Sequence, residues 1–444
     1  MKHTNKKGFT IVELVIVIAV IAILAAVLIP TFSNLIKKAN ESSDVQAVRQ
    51  MNTFLAADGA VTPTTPGRLL DVLKEGGFDA ENYKPIIANR AFFWDRSLNQ
   101  ILYVDTTTGE VLFPKKVEAN QATWYSLNGS TTLFGQTVSE NLLPEAPAAD
   151  QTFAVANGAD FIKVAEFIKK NQESYNTLKG KITIELTDDI NLMGADVNFT
   201  DKNTSGLDVV IKSSDDEQQR TITGLYISDD HATSGHSADG TNRNDYGHSL
   251  FYYIRNLTVE NIAVEYSVIG GYKASQAGFF AGQVGGTATF TNVSVKNCTI
   301  QGNRKVGVLC GYTHGKLSFT KVVIEDCTVA SAWGEAGGII GLVDSASITF
   351  GQEVVTEKDL TVTNVTVSIA NVDGFKKDTA TSGNTTYDVI QKEGESSSIR
   401  VATANFGFLA KKTGDTVTTD KGALVAYEAL NTLDAFLNVT GTRK

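Results

Sequence analysis

Glu13 is a carboxylate embedded in FTIVELVIVIAVIAILAAVLI (residues 9–29), a run with no other charge. In hydrocarbon such a group costs about 2.5–3.5 kcal/mol even on insertion-derived scales, so it is rare without a role. An unpaired buried charge of this kind is costly, and the run by itself shows nothing that answers it. Three other sets invite a chemical reading. Asp188 and Asp189 in LTDDINL form a carboxylate pair after a strand, and read better as turn residues capping backbone amides. SDDHATSGHSADGTNRNDYGHS (228–249) holds His231, His236 and His248 with Asp229, Asp230, Asp239 and Asp245. It could bind a cation or line a sugar groove, yet its Asp spacing departs from a calcium loop, so a solvated surface loop is the plainer reading. Cys298, Cys310 and Cys327 share no His or paired-Cys spacing that suits a metal, and no cofactor motif stands out.

Length and composition bound what can position these groups. The chain has 444 residues, enough for two or three domains, with net charge -10. That acidity argues against a general nucleic-acid-binding role. Three cysteines are too few for a disulfide-stapled scaffold, so packing must supply stability. Seven Pro against 38 Gly, with many Thr, Val and Asn in the second half, lean towards β-structure with tight turns.

Phe9–Ile29 spans 21 residues, about 31 Å as a helix, which matches a bilayer core. Lys2, Lys6 and Lys7 precede it, placing the first residues in the cytoplasm and the remainder outside. A conventional signal peptide would have a shorter apolar core and a small-residue cleavage site. Here the run continues into NLIKKANESSDVQAVRQMNTFLA, where Leu35, Ala39, Val45, Val48 and Phe54 keep helical spacing. One helix is therefore predicted from Phe9 to about Ala57, half in lipid and half outside, with a kink at Pro30.

KKGFTIVEL (residues 6–14) resembles the leader and cleavage motif of type IV pilins and pseudopilins. It has basic residues, a Gly, then Phe, and Glu as the fifth residue after that Gly. The resemblance implies cleavage between Gly8 and Phe9 by a prepilin peptidase, methylation of the new Phe9 amine, and pairing of Glu13 with the N-terminal ammonium of a neighbouring subunit. A plain signal anchor with an incidental Glu is the alternative. AFFWDRSLNQILYVDTTTGEVLFP (91–114) reads as strands Phe92–Trp94, Gln100–Asp105 and Glu110–Phe113, and resembles the small sheet that packs on the pilin helix. Trp94 and the adjacent Phe residues are expected in its core. The expected domains are a leader at 1–8, the helix at 9–57, a small pilin-like domain at 58–143 and a Pro/Ala-rich linker at 144–152.

From Phe153 the composition shifts. ADFIKVAEFIKKNQESY reads as an amphipathic helix with Phe161, Val164, Ala165 and Ile168 on one side, and KITIEL as a strand. LTVENIAV (257–264), VSVKNCTI (293–300) and VIEDCTV (323–329) align, bringing together Val259, Val295 and Ile324, and Asn261, Asn297 and Asp326. AGFFAG, VGVLCG and AGGIIG recur at steps of 29 and 30 residues and read as a third strand. LTVTNVTV (360–367) looks like a degenerate fourth copy. Three strands per copy make one coil of a parallel β-helix, with six or seven coils over about 30 Å. A β-sandwich is the competing reading. The hexapeptide resembles GLUG-type repeats of bacterial surface proteins. Cys298 and Cys327 fall at equivalent positions in successive coils, as a cross-coil bridge or as an inert buried pair.

The fold class expected is an α+β pilin module followed by an all-β right-handed parallel β-helix at 153–375. A loop and capping region would follow at 376–444, with 421–438 closing the far end and the helix near 160–170 the near end. The expected function is a non-enzymatic filament subunit of the minor or tip pilin kind. Its partners would be other pilin subunits, a prepilin peptidase, the cytoplasmic membrane before assembly, and a glycan or host or matrix surface. A pseudopilin of a secretion or DNA-uptake machine is one alternative. A tethered polysaccharide-active enzyme is another, although the outward residues Thr258, Glu260, Thr291, Ser294, Lys296, Thr320 and Glu325 form no convergent acid/base set.

Overall fold

The computed structural model describes residues 10–57, most of 62–127, residue 133, 136–228, 247–271, 275–331, 336–343 and strand segments between 348 and 419. Helix α1 (Ile11–Leu55) starts at Thr10, whose hydroxyl caps the helix, and runs through Pro30 without interruption. Its distal third buries Asp44, Val48, Met51 and Leu55, spaced three and four apart, which is one helical face. Helix α2 (Pro66–Glu75) begins with Thr65 accepting from the Arg68 amide and Pro66 in the first turn, and packs Leu69, Val72 and Leu73 against α1.

Strands β1 (Arg90–Asp95), β2 (Gln100–Asp105), β3 (Val111–Phe113) and β4 (Trp124–Ser126) form an antiparallel sheet in the order β3-β2-β1-β4. The first three match the strands read from sequence, and β4 was not anticipated. Both faces are covered. Phe92, Trp94, Ile101, Tyr103 and Tyr125 join the core under α1, whereas Ala91, Phe93, Leu102, Val104 and Trp124 belong to the core of the distal body. Alternate side chains on a strand point to opposite faces, so one short sheet serves as a wall for two cores.

The distal body is built from parallel strands. β5 (Asp150–Val155) begins inside the span expected to be linker and pairs in parallel with β6 (Lys181–Leu186). Between them lie α3 (Gly158–Lys170) and α4 (Gln172–Leu178), two helices where one was read. Phe161, Val164, Ala165 and Ile168 of α3 are buried, as their spacing predicted. The Phe161 ring sits 5.0 Å from Phe199, which stacks on Phe251 at 4.9 Å.

Gln151, Ile182, Val209, Leu257, Ala288, Leu317 and Ile348 pair in register from strand to strand. Seven aligned strands give six spacings, about 29 Å at about 4.8 Å each. The inward row Ile184, Ile211, Val259, Phe290 and Phe319 is buried, with Phe290 stacked on Phe319 at 5.7 Å. Two further parallel sheets run beside this one, through Val268–Ile269, Thr299–Gly302 and Thr328–Ser331, and through Gln276–Ala277, Val306–Gly307 and Ala336–Gly337.

The register corrects the alignment of the repeats. Val264, not Val259, pairs with Val295, and Val295 with Ile324. Each layer has two corners in left-handed backbone. Asn261, Asn292 and Lys321 form the first, and Tyr266, Asn297, Asp326 and Asn364 the second. Asn tolerates this conformation best among residues with a side chain, and the amide of Asn292 donates to Asn261 Oδ1 at 2.7 Å. The glycine hexapeptides are not single strands either. AGFFAG ends one strand at Ala277 and starts the next at Ala281. A Cβ on Gly278 would lie 2.5 Å from the Cys310 backbone, so the corner needs glycine's missing side chain. From Phe375 on, where a loop or an irregular strand pair was expected, Phe375–Ser382, Thr385–Lys392, Ser398–Thr403, Phe408–Thr413 and Thr416–Thr419 pair as antiparallel strands. The expected cap at 421–438 lies outside the described residues.

Candidate functional site

Among the described residues, the N-terminal helix is the segment whose surface is least like that of a soluble protein. From Ile11, 82% exposed, to Phe32 and Ile36, 58% and 60% exposed, its large aliphatic and aromatic side chains have no cover. An uncovered apolar rod of this length calls for lipid or for other helices around it. Its length and composition pass those of a membrane span.

At the start of this rod Glu13 and Thr10 form a reciprocal cap. The Thr10 amide donates to Glu13 Oε2 at 2.9 Å, the Thr10 hydroxyl donates to the same oxygen at 2.8 Å, and the Glu13 amide donates back to the Thr10 hydroxyl at 3.3 Å. Such a box satisfies two of the amides that a helix start leaves open. The carboxylate thus has local donors within its own chain, a role the apolar context did not suggest. Among the described residues no cation pairs with it. Gly8 and Phe9, the expected cleavage and methylation positions, lie outside the described residues. At Pro30 the missing N–H leaves the Ala26 carbonyl without its usual helical donor, while the next hydroxyl, Thr31 Oγ1, donates to the Val27 carbonyl at 2.8 Å.

The other end of α1 is fixed to the body by polar side chains that sequence reasoning missed. Asp44 is buried and accepts from the Ile86 amide at 2.8 Å, the Ile87 amide at 3.2 Å and the Tyr103 hydroxyl at 3.1 Å. Burial first, and then the Asp44 carboxylate, hold the Tyr103 phenol well above its ordinary range. Asn52 acts as an added strand residue: its Nδ2 donates to the Ile101 carbonyl at 2.9 Å, and its Oδ1 accepts from the Ile101 amide at 2.6 Å. The Arg49 guanidinium lies 5.4 Å from the Phe113 ring centre. Asp44, Val48, Met51 and Leu55 fall on one stripe, and a lone acid in it was the available signal.

The remaining candidate groups are structural where they are described. Asp189 Oδ1 accepts from the Thr221 amide at 2.8 Å, and Asp188 Oδ1 accepts from the Asp189 amide at 2.8 Å. Asp188 also lies 3.5 Å from Arg220. Of the 228–249 segment, residues 229–246 are outside the described residues, and His248 is buried. Cys298, Cys310 and Cys327 are buried free thiols. Lys296 pairs with Glu325 and Thr299 with Thr328, which places Cys298 and Cys327 at equivalent positions in neighbouring layers. Burial, followed by the neighbouring Cys327, pushes the Cys298 thiol well up. Among the described residues no group of three His, Cys, Asp or Glu side chains is placed to hold a metal.

Comparison with known proteins bears on the N-terminal segment. Residues 3–29 match the family model described as the prokaryotic N-terminal methylation motif. The type IV wide pilus major component PilA4 of Thermus thermophilus is 63% identical over 38 residues, which are 9% of this chain and 29% of that protein. The match thus covers less than a third of that relative's length. No solved structure matches the chain. The chain is type IV pilin-like at its N-terminus, with the motif of a prepilin and an apolar helix that anchors the precursor in a membrane.

Proposed function

We propose that this protein is a structural subunit of a type IV pilus-like filament. A prepilin peptidase removes residues 1–8 after Gly8 and methylates the amine of Phe9. The exposed apolar half of α1 then leaves the membrane and packs among the helices of other subunits, bending at Pro30. The observation that carries this reading is the joining of two opposite surfaces in one helix under a methylation motif. From Ile11 to Ile36 it is uncovered and apolar, whereas from Asp44 to Leu55 it is locked into a folded body. A helix built this way anchors a large cargo to an apolar assembly.

Glu13 supplies the assembly signal. In the single chain Thr10 solvates the carboxylate, but its donors are neutral. In the filament the Phe9 ammonium of a neighbouring subunit gives it a cation, and a charge-assisted pair is roughly twice as strong as a neutral one. The parallel strands, wound as a right-handed β-helix over 153–375, are displayed on the filament's outside as an adhesive surface for glycan or matrix. An appendage of this size suits a minor or tip subunit.

Two measurements test this. Mass spectrometry of surface protein is expected to give a chain starting at methylated Phe9, and retention of Met1–Gly8 on the mature protein refutes the reading. Glu13→Ala should leave cleavage intact and reduce filament yield strongly. Wild-type yield from that variant refutes the charge pair.

A further inference from the structure

The outer surface of the distal body carries a groove of about 470 Å³, lined by Gln219, Asn292, Ser294, Lys296, Lys321 and Thr361. That volume lies in the range of small-molecule sites. Ser294, Val323 and Thr361 pair in register in three successive layers, which makes them the floor. Two layer spacings give that floor a length of about 10 Å. The first-corner residues Asn292 and Lys321 form one edge, and Lys296, two residues beyond Ser294 on the same strand, forms the other.

Gln219 closes one end. It reaches from a preceding layer to donate through Nε2 to the Asn292 carbonyl at 2.7 Å, and its Oε1 accepts from the Ser294 hydroxyl at 3.3 Å. The charges on the groove are unequal. Lys296 is 3.0 Å from Glu325 and is paired in register with Glu265 as well, so its charge is largely answered. Lys321 is exposed and has no ion pair among the described residues. It also occupies a left-handed corner where the two preceding layers carry Asn261 and Asn292. A lysine replaces the residue that this backbone favours, and backbone strain of this kind tends to persist where it serves a function.

We propose that this groove binds an acidic saccharide, with Lys321 facing the sugar carboxylate and the amides and hydroxyls of Gln219, Asn292, Ser294 and Thr361 facing its hydroxyls. The lining has no aromatic ring and no deep apolar pocket to take a peptide side chain. The central floor strand, Leu317–Glu325, is already paired on both sides and offers no free edge for strand addition. A single lysine without an ion pair is too little positive charge for the phosphates of a nucleic acid. One solvated cation beside a row of hydroxyls and amides matches a sugar unit with one carboxylate. The inference rests on the outward display proposed above and names the class of ligand displayed to.

The test uses the mature full-length chain in detergent micelles, with oligogalacturonate as the probe and its carboxyl-reduced, neutral counterpart as control, followed by titration calorimetry. Binding of the acidic oligomer is expected to weaken at 1 M salt, where the screening length falls to about 3 Å. Lys321→Gln, and the neutral probe with wild type, should each bind about tenfold more weakly, the scale of a hydrogen bond to a charged group. Lys163→Gln, at an exposed position of α3 away from the groove lining, should bind as wild type does. Equal binding of both probes, unchanged affinity in Lys321→Gln with a wild-type circular dichroism spectrum, or no binding of the acidic oligomer overturns the inference. Since the assay uses single chains, failure of wild type to form filaments overturns the filament reading alone, and filaments that form while single chains ignore the acidic probe overturn the groove alone.

Discussion

Replacing Asp44 by Ala should unseat α1 from the body, and its size can be worked from three contacts. Asp44 accepts from the Tyr103 hydroxyl and from the Ile86 and Ile87 amides. Tyr103 is fully buried, so its hydroxyl is left without an acceptor, at about 1–3 kcal/mol. Ile86 is 59% exposed, so water can replace the carboxylate there, and each amide bond adds only about 0.5–1.5 kcal/mol. The sum is about 2–6 kcal/mol, a large part of the roughly 5–15 kcal/mol that holds a typical domain folded. Urea unfolding of the full-length chain in detergent, read by the fluorescence of the buried Trp94 and Trp124, measures it. Tyr103→Phe removes the stranded hydroxyl, so Asp44→Ala should cost about 1–3 kcal/mol less in that background. A cost below about 0.5 kcal/mol, or one that Tyr103→Phe does not reduce, refutes the argument. The pH dependence follows the same contact. The Tyr103 phenol is raised above its ordinary value of 10.0 by burial and by Asp44. Its contribution is therefore fully present below pH 10 and is lost as pH rises towards the folded-state value. Asp44→Asn should make that alkaline loss shallower.

Gly278→Ala should lower stability by about 1–3 kcal/mol in thermal unfolding, because its Cβ would meet the Cys310 backbone at 2.5 Å. Phe199→Ala should cost about 3–5 kcal/mol, since Phe199 lies between Phe161 of α3 and Phe251. Iodoacetamide at pH 8 should leave Cys298, Cys310 and Cys327 unmodified in the folded chain and label all three in urea, as mass spectrometry would record; native labelling at the rate of a free thiol contradicts their burial. A protease site placed at Ala148 should give two fragments that stay together on size-exclusion chromatography, and separation under native conditions would show that the shared sheet is not a common core.

Local pattern carried much of the fold. The apolar spacing of α1, the alternation in β1 and β2, and the buried face of α3 were all legible because each depends on near neighbours in sequence. Register was not. Asn261 and Tyr266 mark two corners five residues apart in one layer, as Asn292 and Asn297 do in the next. The hydrophobic pattern therefore resembles itself within a layer. VSVKNCTI was matched to LTVENIAV at the wrong corner, whereas ATFTNVSV is the segment that pairs with it. The roles of Asp44 and Asn52 were hidden for another reason. Their partners, Tyr103 and Ile101, are 59 and 49 residues away, and no local spacing encodes such bonds.

The sheet β1–β4 also explains how the apolar N-terminal helix can carry a large body without a hinge. Residues 144–152 read from sequence as a linker, yet the faces on either side of β1 and β2 belong to two cores. Swinging the body away would expose Phe93, Leu102, Val104 and Trp124, about 1.5–3 kcal/mol each and so roughly 6–12 kcal/mol together. That is comparable to the stability of a whole domain. Polar contacts reinforce the same wall: Tyr125 Oη donates to the Tyr266 carbonyl at 2.7 Å, and Arg96 donates to Thr299 Oγ1 at 2.7 Å. Load on α1 therefore passes through Asp44 and Asn52 into β2, and through the far face of that sheet into the parallel strands.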